Sequence, residues 1–413
     1  MKRILIISQN YYPEIGSAAN RVKNIYKELK KLGHKVTVLT AEPSYPNRNL
    51  YKDPKFWNDP DFNNDVIRIR TRTRKYSHNI INRLLLYTEM TYKFIRTIRK
   101  LGRNYDFVLA TTPAIFIGLA GLAAKRKLKC PFILDVRDLW PDSLIGVGVF
   151  NYKPIIKMAE LLEKKLYMEA QHIIINSEGF KPHIKSKGIS GDKISFIPNS
   201  LTKQELQNFD FAPKNREEKT VIYTGNIGLA QDLDILIDVA EKMKDNKKIK
   251  FQIIGYGYRS KELYKKIVDR NLPNIKLLSA ANKVEVIKAI QNADIAFVSL
   301  VNNKVFDTVL PGKVIDYMSL GKPIIGSVSG YVATVIKMAK CGMVSEQRKV
   351  DEITEFILKL SSDSALAQQL GRNGYDYAVS HYEWTKNITV LSEILEKSHE
   401  TENLHVRLEP LYK

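Results

Sequence analysis

The sequence predicts an α/β protein of two successive domains, each a mostly parallel sheet covered by helices. Three observations carry this reading. Short apolar runs recur along the chain with helix-length segments between them. A polar, aperiodic stretch just after residue 200 separates them into two series of similar length. Finally, 413 residues with 44% apolar and 26% charged side chains suffice for two well-buried cores in a globular chain.

The first series opens with Ile4-Leu5-Ile6-Ile7, a continuous apolar run of the kind buried on both faces of a parallel sheet. Pro13 and Gly16 mark a loop. Val22, Ile25, Leu29 and Leu32 then share one helical stripe, which Gly33 ends. A strand at 36–39 completes a βαβ unit, and further strands are expected at 66–69, 107–110, 131–134, 173–175 and 195–197. Residues 201–219, with Pro213 among them, read as a linker or surface loop. The second series places strands at 221–223, 251–254, 275–278, 295–300 and 323–325. A last helix is expected from about Ser380 to Lys397, carrying Trp384, Ile388, Val390, Leu391 and Ile394. Its periodicity leaves open whether it pads the second domain or returns to the first. The expected divisions are therefore 1–200, 201–379 and 380–413.

Charge is distributed unevenly. The 65 Lys and Arg against 44 Asp and Glu give +21, and residues 1–200 alone hold 35 basic and 17 acidic side chains, net +18. Between Val66 and Arg103 there are 11 basic residues and one acidic residue, Glu89. Arg68, Arg70, Arg72 and Arg74 alternate, so a strand would set them on one face. Ile80, Ile81, Leu84, Leu85, Tyr87, Tyr92, Phe94 and Ile95 follow, threaded with Arg83, Lys93, Arg96, Arg99 and Lys100. An ordinary solvated face has this pattern; so does a segment drawn to anionic lipid, with Leu84, Leu85 or Phe94 dipping into the interface. Phosphate-backbone attraction fits the charge too, but no nucleic-acid-binding signature accompanies it and no nucleic-acid partner is expected. No apolar run reaches the roughly 18 residues of a membrane span, and the opening strand turns polar at Ser8 and Gln9, unlike a signal peptide. Cys130 and Cys341 lie outside any metal-ligand or CxxC spacing, which favours a reducing compartment. The expected location is cytoplasmic, peripheral on the inner face of the membrane.

Ligands of open α/β sheets collect beyond the carboxyl ends of the strands. Gly16-Ser17 sits there and opens a helix, where unpaired N–H groups favour an anion; Arg21, one turn in, either reaches that anion or stays solvated. Asp135, Arg137 and Asp138 crowd the end of the strand at 131–134, and an ion pair that merely fixes a loop would read the same. Asn199 follows the strand at 195–197. Gly225-Asn226-Ile227-Gly228 and Gly255-Tyr256-Gly257 are glycine turns in consecutive βα units, and two in register suggest a group held against backbone. Arg259 follows the second turn, and Pro311-Gly312-Lys313 opens a helix; Arg259 and Lys313 together could neutralise a diphosphate leaving group. Asp316, three residues on, could accept two ribose hydroxyls or simply suit the helix dipole. If the two domains present their sheet ends to each other, most of these positions face one cleft. The seven His are scattered with no HExxH, and GxGxxG, P-loop and GxSxG patterns are absent, so no tightly held metal or cofactor is expected.

In their order these motifs resemble a retaining glycosyltransferase of the GT-B fold, family 4, and more closely its bacterial branch that transfers N-acetylated aminosugars in surface-polysaccharide assembly. The resemblance rests on Ser8-Gln9-Asn10-Tyr11-Tyr12-Pro13-Glu14-Ile15-Gly16, Asp135-Val136-Arg137-Asp138-Leu139-Trp140-Pro141-Asp142-Ser143, Tyr223-Thr224-Gly225-Asn226-Ile227-Gly228, and Leu310-Pro311-Gly312-Lys313 leading to Gly321-Lys322-Pro323. It implies two Rossmann-like domains facing across a cleft, the first binding the acceptor and the second the nucleotide sugar, with a C-terminal helix returning to the first. The family's E-x7-E carboxylates fall on Thr308 and Asp316; Thr308 can bond a sugar hydroxyl without carrying charge, and Asp307 is out of register by one. Asn226 and Gln231 stand in the region where many members have Arg and Lys, which passes the charge role to Arg259 and Lys313. The wider family's catalytic-region His falls on Arg137, which at its normal pKa is no general base.

The implied reaction uses a UDP-sugar donor and a polyisoprenyl-diphosphate-linked glycan acceptor, for lipopolysaccharide or capsule. Helix N-termini, Arg259 and Lys313 would stabilise the leaving diphosphate while Asp138 or Asp135 orients the acceptor hydroxyl for front-face attack. A UDP-sugar epimerase of related fold and a non-enzymatic scaffold that binds membrane or polyanion are the competing readings.

Overall fold

The computed structural model describes residues 1–45, 48–57, 59, 62, 65–71, 80–112, 115–148, 152–207 and 216–408, with side chains left undescribed at 80–84 and 398–408. Arg72, Arg74 and Pro213 therefore lie outside the described residues, as do the side chains of Arg83 and Leu84. The chain forms two units: Met1–Asp142 with Asn151–Pro198 and Trp384–Lys413, and Ser143–Phe150 with Asn199–Glu383.

In the first unit the order is β1 (Arg3–Ser8), α1 (Ser17–Lys31), β2 (Lys35–Ala41), β3 (Val66–Ile69), α2 (Ile80–Lys100), β4 (Phe107–Thr111), α3 (Ile115–Leu128), β5 (Phe132–Val136), α4 (Asp142–Gly146), α5 (Lys153–Glu169), β6 (His172–Ile175), α6 (Lys181–Ser186) and β7 (Ile194–Phe196). All seven strands are parallel, in the order β3-β2-β1-β4-β5-β6-β7. The apolar runs form strands because helices cover both faces of the sheet; every residue of β4 and β5 is buried. Val22, Ile25 and Leu29 of α1 are buried as the stripe requires, and Gly33 takes the left-handed φ of 81° that ends the helix. Leu32, counted with that stripe, is the C-cap instead and is 50% exposed.

The second unit runs α7 (Lys203–Gln207), β8 (Lys219–Asn226), α8 (Asp234–Lys242), β9 (Ile249–Tyr256), α9 (Ser260–Asp269), β10 (Ile275–Leu278), α10 (Lys283–Asn292), β11 (Ile295–Ser299), α11 (Gly312–Ser319), β12 (Ile324–Ser327), α12 (Gly330–Met338), β13 (Gly342–Val344), α13 (Val350–Ser362) and α14 (Ser364–His381). Its six parallel strands are ordered β10-β9-β8-β11-β12-β13. The edge strand β13 and the helical turn α7, inside the stretch read as linker, were not expected.

One final helix, α15 (Trp384–Leu408), follows α14 after a short break. Trp384, Ile388, Leu391, Ile394 and Leu395 are buried in the same apolar cluster as Val22, Ile25 and Leu29 of α1.

In each sheet the strand order reverses beside the first strand, between β1 and β4 and between β8 and β11. Crevices for ligands open at the carboxyl side of such reversals. The Gly16 turn follows β1 and the Gly225 turn closes β8, so both lie where the topology leaves room. Among the described residues no helix is long and apolar enough to cross a membrane.

The basic segment needs two corrections. Phe94, expected at a lipid interface, is fully buried in the core because it falls on the inner stripe of α2. Arg68 is not part of an open basic face: its guanidinium donates to Tyr12 O at 2.7 Å and lies against the rings of Tyr11 and Trp57.

Candidate functional site

The two glycine turns of the second unit are adjacent and in register, with Gly225 paired to Gly255 and Asn226 to Tyr256. Ile227 N donates to Tyr256 O at 2.7 Å and Arg259 N to Ile227 O at 3.0 Å. A Cβ on Gly255 would lie 1.9 Å from Gly225 O, and one on Gly257 2.2 Å from Ile227 O. Gly257 therefore has a packing reason to be glycine, as the second turn supports the first. Gly228 N is held by Gln231 Oε1 at 3.1 Å. Gly225 itself needs glycine for its backbone, at φ 116°.

Beneath the Gly225 turn lies Lys313. Pro311 is the N-cap of α11 and Gly312 its first residue, so the extended Pro311 sets the helix start and Lys313 projects from its first turn. Its Nζ sits 3.5 Å from where a Gly225 Cβ would be and 3.6 Å from the centre of the Tyr223 ring. Among the described residues that nitrogen has no hydrogen-bond partner, and burial pushes its pKa down to about 7 although Asp316 pulls the other way. Tyr317 OH accepts from Thr224 N at 2.8 Å and ties α11 to the strand that carries the turn.

Asp316 is the second half of this cluster. Burial lifts its carboxyl to about 6, against the pull of Lys283 and Lys313. Lys283 opens α10, keeps about 36% of its side chain exposed, and pairs with Glu205 of α7. Burial works against its charge but Glu205 and Asp316 outweigh it, leaving its pKa raised. Glu205, Lys283, Asp316 and Lys313 thus alternate in sign. Neither Glu205 nor Lys283 was anticipated, although each belongs to a legible capping pattern: Thr202 and Glu205 bond reciprocally at 2.7 and 3.3 Å, and Asn282 and Glu285 form a capping box.

Two expectations for this unit change, those for Arg259 and Asp307. Arg259 donates to Asp234 Oδ2 at 2.7 Å and to both oxygens of Glu262 at 2.7 and 3.0 Å, which raises its pKa. Two carboxylates neutralise it, so it does not stand with Lys313 as a second open cation. Thr308 donates to Val305 O at 2.6 Å. Asp307, in place of compensating for Thr308, accepts from Ser329 Oγ at 2.6 Å and packs on Gly330. Asn199 is the first residue of the second unit's main segment.

In the first unit Gly16 is the N-cap of α1, with φ 126° and no side-chain cap, and Ser17 is the first helical residue. Glu14 steadies the preceding loop: it accepts from Ser44 N at 3.0 Å, Tyr45 N at 2.6 Å and Asn10 Nδ2 at 2.7 Å, and burial lifts its pKa to about 7. Arg21 and Asp135 are corrected together. Arg21 is buried, bonds Asp135 Oδ1 from Nη2 at 2.8 Å and Oδ2 from Nε at 3.0 Å, and donates to Pro198 O at 3.1 Å. Asp135 is 0% exposed. The pair is internal because β5 continues through Val136, which keeps Asp135 inside the sheet; neither residue is open to a ligand or an acceptor.

Arg137 lies beyond the strand, and burial pushes its pKa down only to about 10, so it remains a cation. Asp138 borders a crevice with Thr112, Trp140, Glu163 and Tyr167. Behind it is an ionic cluster that sequence reasoning missed. Buried Glu163 accepts from Tyr167 OH at 2.8 Å, pairs with His183 Nε2 at 2.9 Å and Lys187 Nζ at 3.2 Å, and His183 Nδ1 stands 3.5 Å from Asp142. The i,i+4 spacings of Glu163 with Tyr167 and His183 with Lys187 are its only local trace.

Comparison with known proteins agrees with this layout. The family of Glycosyl transferases group 1 matches residues 204–377, and the Glycosyl transferase 4-like domain matches residues 16–200. The Escherichia coli (strain K12) protein WcaI, named as a colanic acid biosynthesis glycosyl transferase, is 23% identical over 336 residues, 77% of this chain and 81% of that protein. The MMP alpha-(1->4)-mannosyltransferase of Mycolicibacterium hassiacum is 21% identical over 96% of this chain and 98% of its own. Among solved structures, sucrose-phosphate synthase from Thermosynechococcus elongatus superposes with a TM-score of 0.75 at 14% identity, covering 97% of this chain and 100% of that one. Anabaena HepE in complex with UDP and glucose gives 0.72 at 14%, covering 96% and 100%. With a glycosyltransferase family matched to each half of the sequence and two parallel sheets flanked by helices, the chain is a GT-B-fold glycosyltransferase related to the GT4-like family.

Proposed function

We propose that the enzyme is a retaining glycosyltransferase that moves a sugar, an N-acetylated aminosugar, from a UDP-sugar to a lipid-linked glycan acceptor in surface-polysaccharide assembly. The observation that carries the donor half is the buried Lys313 amine under the Gly225 turn, without a hydrogen-bond partner among the described residues, with Asp316 one helical turn on. In this reading the diphosphate lies against the Gly225–Gly228 backbone and the start of α11, and Lys313 takes up the charge that develops as the bond to the anomeric carbon breaks. Asp316 accepts the ribose hydroxyls, Thr308 bonds a sugar hydroxyl, and Asp138, with Arg137 beside it, orients the acceptor hydroxyl for attack on the same face. Gly16, Ser17 and Asn199 are assigned to substrate binding in the same reading, and α15 is the helix that returns to the first domain. HepE, crystallised with UDP-glucose, supports the choice of a uridine nucleotide, and the name of WcaI supports surface polysaccharide. The acceptor is a polyisoprenyl-diphosphate glycan reached at the inner membrane surface. A Streptococcus pneumoniae relative, 20% identical over 276 residues, is named alpha-monoglucosyldiacylglycerol synthase, a lipid-modifying activity.

A screen of UDP-sugars against lipid-linked acceptors tests this, with the anomeric configuration of the product read by NMR. Transfer with retention from a UDP-N-acetylaminosugar is expected. Net inversion refutes the mechanism, interconversion of the UDP-sugar without acceptor points to an epimerase, and failure to bind any nucleotide sugar returns the chain to a scaffold.

A further inference from the structure

Helix α5 exposes what a soluble helix ordinarily buries. Its inner side is conventional, with Ala159, Glu163, Leu166 and Tyr167 buried in the first unit. On its outer side Met158, Leu161 and Met168 are 63%, 62% and 61% exposed, with Ile155 at 39% beside them. Steps of three and seven residues keep Met158, Leu161 and Met168 along one outer strip. Lys153, Lys157, Lys164 and Lys165 are exposed on the same side. No exposed carboxylate of α5 offsets them: Glu160 is half-buried, Glu163 is buried, and Glu169 is paired with Lys125 at 2.9 Å.

The neighbouring surface continues the pattern. Helices α2 and α5 both pack on α3, in one layer of the first unit. On α2 Leu85 and Tyr92 are exposed, as are Arg96, Arg99 and Lys100.

We propose that the outer face of α5 is a docking surface for anionic lipid. Met158, Leu161 and Met168 enter the boundary between headgroups and acyl chains, and the four lysines snorkel to the headgroup phosphates. Charge complementarity selects this occupant. A second copy of the chain meeting the face symmetrically would set lysines against lysines. The inference rests on the membrane-borne acceptor proposed above and names the element that holds the enzyme there, one not suggested by the basic segment around α2.

The test is flotation of the full chain with phosphatidylcholine vesicles, with and without phosphatidylglycerol. Wild type is expected to bind only the anionic vesicles and to stay partly bound at high salt. The triple variant Met158→Ser, Leu161→Ser, Met168→Ser should partition about tenfold or more weakly, and salt should release what remains. Replacing the four lysines by Gln should cost about fivefold per charge. Because these side chains are exposed, thermal unfolding and UDP-sugar binding should be unchanged in both variants. Wild-type partitioning by both α5 variants, with loss on replacing Arg96, Arg99 and Lys100 of α2 by Gln, overturns the α5 assignment while leaving membrane attachment intact. Absence of wild-type binding to any vesicle overturns both. A dimer seen by light scattering and abolished by the triple variant would give the face to a second copy and overturn the lipid assignment.

Discussion

Replacing Arg21 by Met separates a structural Asp135 from a catalytic one. The wild-type guanidinium bonds both carboxylate oxygens and Pro198 O, and it lies 5.9 Å from the centre of the Trp384 ring. Its loss leaves the Asp135 carboxylate at 0% exposure without its cation. Breaking one side of a buried ion pair costs about 3–5 kcal/mol. For a unit of this size each kcal/mol moves the transition by about 2–4 °C, so the first unit should melt about 6–20 °C lower. The double variant Arg21→Met, Asp135→Leu should recover most of that, because an apolar pair of similar volume removes the stranded charge. Differential scanning calorimetry of the wild type, both single variants and the double variant closes the cycle. An Arg21→Met protein that melts within about 2 °C of wild type while its KM for donor or acceptor rises would refute the reasoning and return Arg21 to the ligand.

Lys313→Met should weaken UDP-sugar binding by about 2–4 kcal/mol in calorimetry. In wild type that affinity should fall as pH rises through about 7, where the lysine loses its proton, and the variant should show no such fall. Gly225→Ala should destabilise the second unit by about 1–3 kcal/mol, since φ 116° and not side-chain crowding forbids the methyl; an unchanged melting temperature would contradict that. Glu14 has a folded pKa of about 7 against about 4.5 when unfolded, so the native state binds the extra proton between those values and loses stability as pH rises through them. Glu14→Gln should flatten that slope in urea titrations from acidic to neutral pH, by up to about 3 kcal/mol in total. Asp138→Asn should lower kcat far more than it raises the donor KM; the reverse pattern would move Asp138 to the donor side.

Local physics decides how much of this was readable. Strands buried on both faces leave continuous apolar runs, so Ile4-Leu5-Ile6-Ile7 announced β1, whereas the edge strand Gly342-Met343-Val344 has no run to announce it. The glycine turns were visible as turns in register, and Lys313 and Asp316 as neighbours on one helix. The partners that set the electrostatics were not visible: Arg21 and Asp135 are 114 residues apart, and Arg259 and Asp234 25 apart. Two capping patterns can be read at Thr202-x-x-Glu205 and Asn282-x-x-Glu285, but nothing local says that Glu205 will meet Lys283. In α2 the aromatics fall on both sides of the helix, so periodicity could not tell buried Phe94 from exposed Tyr92.

The shared burial of α1 and α15 also has a bearing on biosynthesis. Val22, Ile25 and Leu29 find their apolar neighbours at Trp384, Ile388 and Leu391, which the ribosome delivers only after the whole of the second sheet. Every strand of the second sheet has emerged by Val344. The unit translated first is thus the last to complete its core, and until then the nascent chain carries an uncovered greasy helix face. That interval is when a trigger-factor-like chaperone would have something to hold, and when a stalled or prematurely terminated polypeptide is most exposed to aggregation.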